Sequence, residues 1–523
     1  MKCYEGNIVT VDNENSVCRY LVEDKGRIVY VGDDLPSIYA MCEKIKLGKR
    51  ALIPSFVDTH QHFASFSTFH AGLNVMEAES NVDIQKMILE FVQKNPHKKT
   101  FIVFGASPYS VKEKRLITRK ELDDVCADKE IMVVKYDGHA CIVNSKLLSK
   151  LKKKVEKIRG YHADTGEMNQ EAFFIFSNYI TNSLSIIELF HNMQKSVDYQ
   201  AKKGIGCIHS VSGVGFIGNL DISIEKLFSQ SLNNGFQIRV FPQSLNTKVA
   251  TRRKLPRIGG CFECALDGCF GSHDAAVKQS YVDETGGNGV LYYDDQKVIE
   301  FCKKANREGL QIELHAIGDK AFDQATMAIK AALDDYPRKN HRHGIIHDCL
   351  PTEEGIEICR KYNILMPVQS AFINWRQEPD EYLKSILGKE RLEMLNPIKT
   401  FYDNNLVVSF GSDAPCTDPD PISWMDRAVN NSNSKQAVTI QDALRMCTYN
   451  GYYTGFDEKE RGSLEVGKVA DMVILSENPN EIPKSRISTL KVERLILSGK
   501  PYESCQKNIV TTIVNGIMSH RKA

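Results

Sequence analysis

Between residues 51 and 412, short apolar runs alternate with amphipathic helical patterns, and that alternation admits few folds. Strand-like runs occur at 51–58, 204–211, 237–243, 260–266, 311–316, 343–348, 363–369 and 406–412. Two of the segments between them carry a plain helical period. Phe322, Ala325, Ile329 and Ala332 repeat this way after Asp319, and Val298, Phe301, Cys302 and Ala305 do so ahead of Gly309. Alternation of this kind builds a parallel sheet covered by helices, and eight candidate strands predict an α/β fold of the (β/α)8 TIM-like barrel type. The stretch from about 64 to 203 is too long for one crossover, so an inserted α/β subdomain is expected there, with strands near 100–104 and 131–136.

The two ends have a different character. Residues 1–53 offer a hairpin of Tyr20–Val22 and Ile28–Val31 around Lys25-Gly26. Residues 462–523 offer Met472–Leu475, Leu495–Leu497 and Val510–Val514, the last closed by Asn515-Gly516. Such ends are expected to combine into one small β-sandwich domain, leaving 54–461 as the barrel.

A chain of 523 residues is long enough for a large barrel with an attached domain. Its 67 basic and 66 acidic residues nearly cancel, and no long charged run stands out, so nucleic-acid and membrane-surface roles have no electrostatic footprint. The first residues lack the apolar core of a signal peptide, and no apolar run is long enough to span a bilayer. Fifteen scattered cysteines include a single CxxC, Cys261 and Cys264, with no second pair to complete a structural zinc site. They read as mostly reduced, buried thiols of a cytoplasmic protein.

The chemistry lies in where the polar residues fall. Catalytic groups of a parallel barrel sit at the C-terminal ends of its strands. His60 and His62 end the first run, two apart, so both imidazoles can face one ion. His315 ends the fifth run, His347 the sixth and Asp413 the eighth. Each alone reads more often as a satisfied histidine or a capping carboxylate. Together they place four histidines and an aspartate at one end of four strands, which points to a divalent metal centre.

Seven segments in order, PSFVDTHQH (54–62), DGHACIVNS (137–145), LDGCFGSHDAA (266–276), HAIGDKA (315–321), HGIIHD (343–348), GSDAPCTDPDP (411–421) and GSLEVGKVADMVIL (462–475), resemble the amidohydrolase superfamily, in the branch of the N-substituted formamide deformylases. The resemblance implies hydrolysis of a non-peptide carbon–nitrogen bond of a small molecule. It implies one or two ions, zinc by default, with His60, His62 and Asp413 on one and His315 and His347 on the other. Where many members have a carboxylated lysine bridging the two ions, the aligned residue is Glu263, which supplies a carboxylate unmodified. The lesser alternative is that Glu263 pairs with a neighbouring arginine or lysine.

On that resemblance the ion lowers the pKa of water toward ~7. Asp413 would take the proton and deliver it to the leaving nitrogen, and His347 would help polarise the developing oxyanion. His139, Gln369 and Trp375 are expected at the substrate; His139 reads equally as a structural anchor and Trp375 as a packing residue. His209 and His273 are placed behind the ligands, and Tyr109 and Tyr161 rest on location alone. A deaminase or cyclic-amide hydrolase would use the same metal chemistry, and a non-catalytic metal-binding scaffold is the alternative outside enzymes. A homodimer is a family-level expectation.

Overall fold

The computed structural model describes residues 1–181, 183–213, 217–284 and 286–505. Eight parallel strands carry the centre of the molecule: β1 (Phe56–Gln61), β2 (Ile205–Ser212), β3 (Gln237–Pro242), β4 (Arg257–Ala265), β5 (Gln311–Ala316), β6 (Gly344–His347), β7 (Met366–Val368) and β8 (Val408–Phe410). Ladders join β1 to β2 and β2 to β3, then β4 to β5 and β5 to β6, and finally β7 to β8. Single bridges link Gly344 of β6 to Leu365 beside β7, and Gln61 of β1 to Ala414 beyond β8. Between β3 and β4, the Cys261 N–H donates to Oε1 of Gln243 at 3.1 Å. Neighbours therefore follow chain order, and the last strand meets the first.

Helices cover these strands through the periodic residues read from the sequence. The helix Asp295–Arg307 starts at Asp294, whose side chain accepts from Lys297 N, and it buries Val298, Phe301, Cys302 and Ala305. The helix Asp319–Asp335 buries Phe322, Ala325, Ile329 and Ala332. All eight side chains join one large core with the strands they face.

The first expected strand, 51–58, splits in two. Its front half belongs to Glu43–Pro54, which pairs with the N-terminal strand Lys2–Val9 and with Met472–Leu475. That pairing joins the two ends of the chain in one seven-stranded sheet, which also holds the expected hairpin as Val17–Asp24 and Arg27–Gly32. Alternation decides which face each residue serves. Leu52, Met472 and Ile474 turn into the sheet's own core, while Ala51, Ile53, Val473 and Leu475 pack on the central one. The expected strand Val510–Val514 and the turn Asn515-Gly516 lie outside the described residues.

The long crossover begins with Phe63–His70 and ends with Ile186–Lys202, helices that contribute Phe63, Ala64, Phe190, Met193 and Val197 to the central core. Between them lies a separate six-stranded sheet containing Thr100–Ala106 and Glu130–Lys135. The inserted unit is thus shorter than 64–203, because its two flanking helices pack on the central strands. Among the described residues, no single helix is long and apolar enough to cross a membrane.

Candidate metal centre

β1 is buried throughout, and its two-residue period sends Asp58 and His60 to the same side, with His62 following just beyond its end. Asp58 accepts from the backbone N–H of His60 at 3.2 Å, from Ser412 N at 2.9 Å and from Ser412 Oγ at 2.5 Å. These bonds fasten the loop after β8 to β1. Burial pushes the Asp58 carboxyl up to about 7 in spite of them.

The same loop carries Asp413 in a left-handed conformation, φ 55°, with its N–H donated to His60 O at 2.8 Å. Asp413 Oδ1 lies 3.2 Å from Nε2 of His60 and 3.3 Å from Nε2 of His62. Burial alone would raise the Asp413 carboxyl. The adjoining His60 and His62 rings, with His347, overcome it and hold the group well below the usual carboxylate range, so it is ionised. His60, fully buried, is lowered by desolvation and stays neutral near pH 7.

His347 leaves β6 with φ 78°, and Asp348 follows at φ 50°; two successive non-glycine residues in this region mark a strained turn of the kind found at functional sites. The His347 ring donates from Nδ1 to Oε1 of Gln369 at 2.6 Å, which leaves Nε2 with its lone pair. Burial and neighbouring His315 hold this ring well below its ordinary pKa. A neutral ring in that tautomer suits ligation and supplies no N–H to an oxyanion, contrary to the polarising role expected of it. His315, ending β5, packs edge-on against His347 with ring centroids 4.5 Å apart. Behind it Asp267 accepts from the N–H groups of Ala276, Ile317 and Gly318 at 2.8–3.0 Å, clamping the loop that carries His315.

Glu263 lines the same cavity but is not among the ligand atoms that close on one another in this cluster. Its side chain is exposed, and Cys261 takes the inward place. In a regular strand residues 261 and 263 would point the same way. Here Phe262 adopts φ 50° and the β4–β5 register shifts between Gly260 and Ala265, so the alternation breaks between the two. Two glycines bring Cys261 in. Gly259 and Gly260 have φ 129° and 118°, and a Cβ on them would come within 1.9 Å of Glu313 O and 2.5 Å of Val211 Cγ1. The Cys261 sulfur ends 3.4 Å from His60 Nε2 and 3.7 Å from His347 Nε2.

The cluster forms the floor of a cavity of about 1020 Å³. His139 and Trp375 line it; His139 stacks on Phe262 with centroids 6.0 Å apart, and Trp375 on Phe372 at 4.9 Å. Gln369, expected at the substrate, instead holds His347. His209 is buried within β2 beside Phe241, and His273 pairs with Asp283 at 2.8 Å. Tyr109 stacks on Tyr382, and Tyr161 belongs to the inserted sheet. Among the charged residues on the wall, Lys135, Asp137 and Glu378 were not singled out from the sequence. Lys135 and Asp137 pair at 2.8 Å, and Glu378, which accepts from Tyr136 Oη at 2.8 Å, is pushed up to about 7 by burial. Asp137 opens the recognised segment at 137–145 and Lys135 lies two residues ahead of it, which was the available signal; nothing near Glu378 marks it.

The donor set fits a divalent ion. Oδ1 of Asp413, the atom turned to His60 and His62, is buried without a hydrogen-bond partner, a costly state for a polar atom. Nitrogen and oxygen ligands about 2.0–2.1 Å from a tetrahedral ion stand about 3.3 Å from one another. The 3.2 and 3.3 Å separations around Asp413 Oδ1 match that spacing.

The profile of the family described as "Amidohydrolase family" matches residues 44–503. A putative amidohydrolase, YtcJ, from Bacillus subtilis (strain 168) is 23% identical over 492 residues, covering 88% of this chain and 90% of its own. An N-substituted formamide deformylase from Arthrobacter pascens is 22% identical over 535 residues, covering 94% and 96%. The solved structure of an uncharacterized metal-dependent hydrolase from Pyrococcus horikoshii OT3 superposes with a TM-score of 0.74 at 22% identity, over 92% of this chain and 99% of that one. With its profile match spanning most of its length, this chain belongs to the amidohydrolase family.

Proposed function

We propose that this amidohydrolase opens a carbon–nitrogen bond of a small amide-type molecule, with a divalent metal, zinc by default, held by His60, His62 and Asp413, and with His315 and His347 available to a second ion. One observation carries the reading. Two imidazoles and an ionised carboxylate, drawn from strand ends far apart in sequence, converge beside a large cavity that His62 and Asp413 line. The ion, when bound, makes water a competent nucleophile near neutral pH and polarises the scissile carbonyl. Asp413 accepts the proton of the attacking water on its carboxylate and returns it to the leaving nitrogen. Buried and ionised, it is a base that needs no prior deprotonation. Phe262, Phe372 and Trp375 give the cavity an apolar aromatic side, while His139 and the Lys135–Asp137 pair face a polar group of the substrate.

The eight parallel strands are read as a (β/α)8 barrel, supported by their pairing in chain order with β8 beside β1. Residues 54–461, apart from the inserted sheet, are read as the barrel, and the described part of 1–53 with 462–505 as a β-sandwich-like domain. The reading extends to a cytoplasmic homodimer acting on a small molecule.

The experiment is amine release from a panel of N-formyl and N-acyl amines, with ring amides and aminopurines beside them, using zinc-loaded protein and the same protein stripped by chelator. Metal-dependent release from linear amides supports the reading, and release from ring substrates alone moves it to a deaminase or cyclic-amide hydrolase. A chain that binds no divalent ion when supplied with one overturns it.

A further inference from the structure

The contacts of Cys261 are not those of an ordinary buried thiol. Its sulfur faces two ring nitrogens at 3.4 and 3.7 Å, and one S–H can donate to only one of them. His347 Nε2 carries a lone pair, because Nδ1 is committed to Gln369. A cation shared among the three atoms satisfies all of them. Sulfur about 2.3 Å and nitrogen about 2.0–2.1 Å from a tetrahedral ion lie about 3.6 Å apart, the spacing observed.

Among the described residues, two sets of three ligand atoms are close enough to hold an ion, His60, His62 and Asp413 in one and His60, Cys261 and His347 in the other. Both use His60. A ring nitrogen has one lone pair and serves one ion, whereas a thiolate has three and can serve two. We propose that Cys261 is a metal ligand whose thiolate bridges an ion on His60, His62 and Asp413 to a second on His347 and His315. The proposal rests on the metal-dependent reading above and adds to it a sulfur ligand on β4, in the inward place expected of Glu263. As the ions enter, the S–H bond breaks, its proton goes to solvent and sulfur–metal bonds form, with no change of oxidation state. A thiolate bridge makes the site one for Zn²⁺, Co²⁺ or Fe²⁺ rather than Mg²⁺ or Ca²⁺.

X-ray absorption at the zinc edge, with zinc counted per chain, tests this on the full-length protein and on Cys261→Ser. The expected result is a sulfur shell at about 2.3 Å in the wild type. In Cys261→Ser that shell is lost and the count falls from near two toward one. Bound zinc with only nitrogen and oxygen neighbours in the wild type overturns the proposal and leaves the metal-dependent reading intact. A sulfur shell persisting in Cys261→Ser also overturns it. Absence of bound zinc in the wild type sinks both. Should Cys261→Ser fail to fold, Cys349→Ser and Cys416→Ser decide, since both thiols line the same cavity. The shell must survive each, and its loss in either assigns the sulfur elsewhere.

Discussion

Nδ1 of His347 donates to Oε1 of Gln369 at 2.6 Å, and this one bond determines which ring nitrogen faces the cluster. Neither partner is near the other in sequence; β6 and β7 bring them together. Partners of this kind around a metal histidine typically carry about 10–100-fold in metal affinity. Gln369→Leu is therefore expected to weaken zinc binding by about 10–100-fold in a competition titration, with Gln369→Glu retaining most of it. Equal affinity in Gln369→Leu would show that the bond does not orient the ring.

Asp413→Asn keeps the shape of the side chain and removes its capacity to take a proton. Loss of a general base costs about 10²–10⁴ in rate. On whichever amide the wild type cleaves, kcat is expected to fall by that factor while the far-ultraviolet circular dichroism is unchanged. A variant retaining more than a tenth of the wild-type kcat would move the proton transfer to another group.

Lys135 and Asp137 form an ion pair with side chains only 11% and 7% exposed. Removing one member of such a pair strands the other charge, a loss of about 3–5 kcal/mol. Lys135→Met is expected to lower the apparent Tm by several degrees, and Lys135→Met with Asp137→Leu to recover part of it. Additive losses in the double variant would mean that the two charges do not depend on one another.

Glu225 is fully buried, accepts from Ser210 Oγ at 2.6 Å and is pushed by burial from its ordinary 4.5 up to about 8. Between those two values the native state binds more proton than the unfolded chain, so Glu225 makes stability fall as pH rises through that window. Glu225→Gln removes that slope. Chemical denaturation at pH 6 and pH 9 should show the variant gaining on the wild type at the higher pH. An unchanged difference between the two pH values would mean Glu225 is already ionised in the native state at pH 6.

Ligands that bind only the folded chain stabilise it, by about 2.7 kcal/mol at a concentration a hundred times Kd. Stripping the protein with a chelator is expected to lower Tm, and added zinc to restore it. The drop should be smaller in Asp413→Asn, whose neutral amide is the weaker ligand. Identical melting with and without chelator would show that no ion contributes to the folded state.

Much of this arrangement was legible in the chain. The eight parallel strands fall at or within a few residues of the apolar runs, and helices such as Asp319–Asp335 bury the residues their period selected. The shift at 51–58 arose because Ala51 to Ile53 are apolar on both faces, serving two cores at once, and periodicity cannot say which sheet claims such a run. The motif at 266–276 carried only the family resemblance. Its first aspartate, Asp267, clamps backbone amides, a role that depends on where Ile317 and Gly318 lie.

The sequence by itself determined that His60, His62, His315, His347 and Asp413 gather at one end of a parallel set of strands. That follows from local rules, since strand alternation and strand ends are written in short windows of residues. Tertiary structure alone decided what completes the cluster. Cys261 rather than Glu263 turns inward because Phe262 is left-handed and the β4–β5 register slips, just after two glycines whose close approach to Glu313 and Val211 leaves no room for a side chain. Gln369 serves His347, and Lys135, Asp137 and Glu378 reach the cavity wall, through contacts between segments tens to hundreds of residues apart. A one-dimensional pattern records which way a regular strand faces; it does not record where that regularity breaks or which distant side chain fills the space beyond.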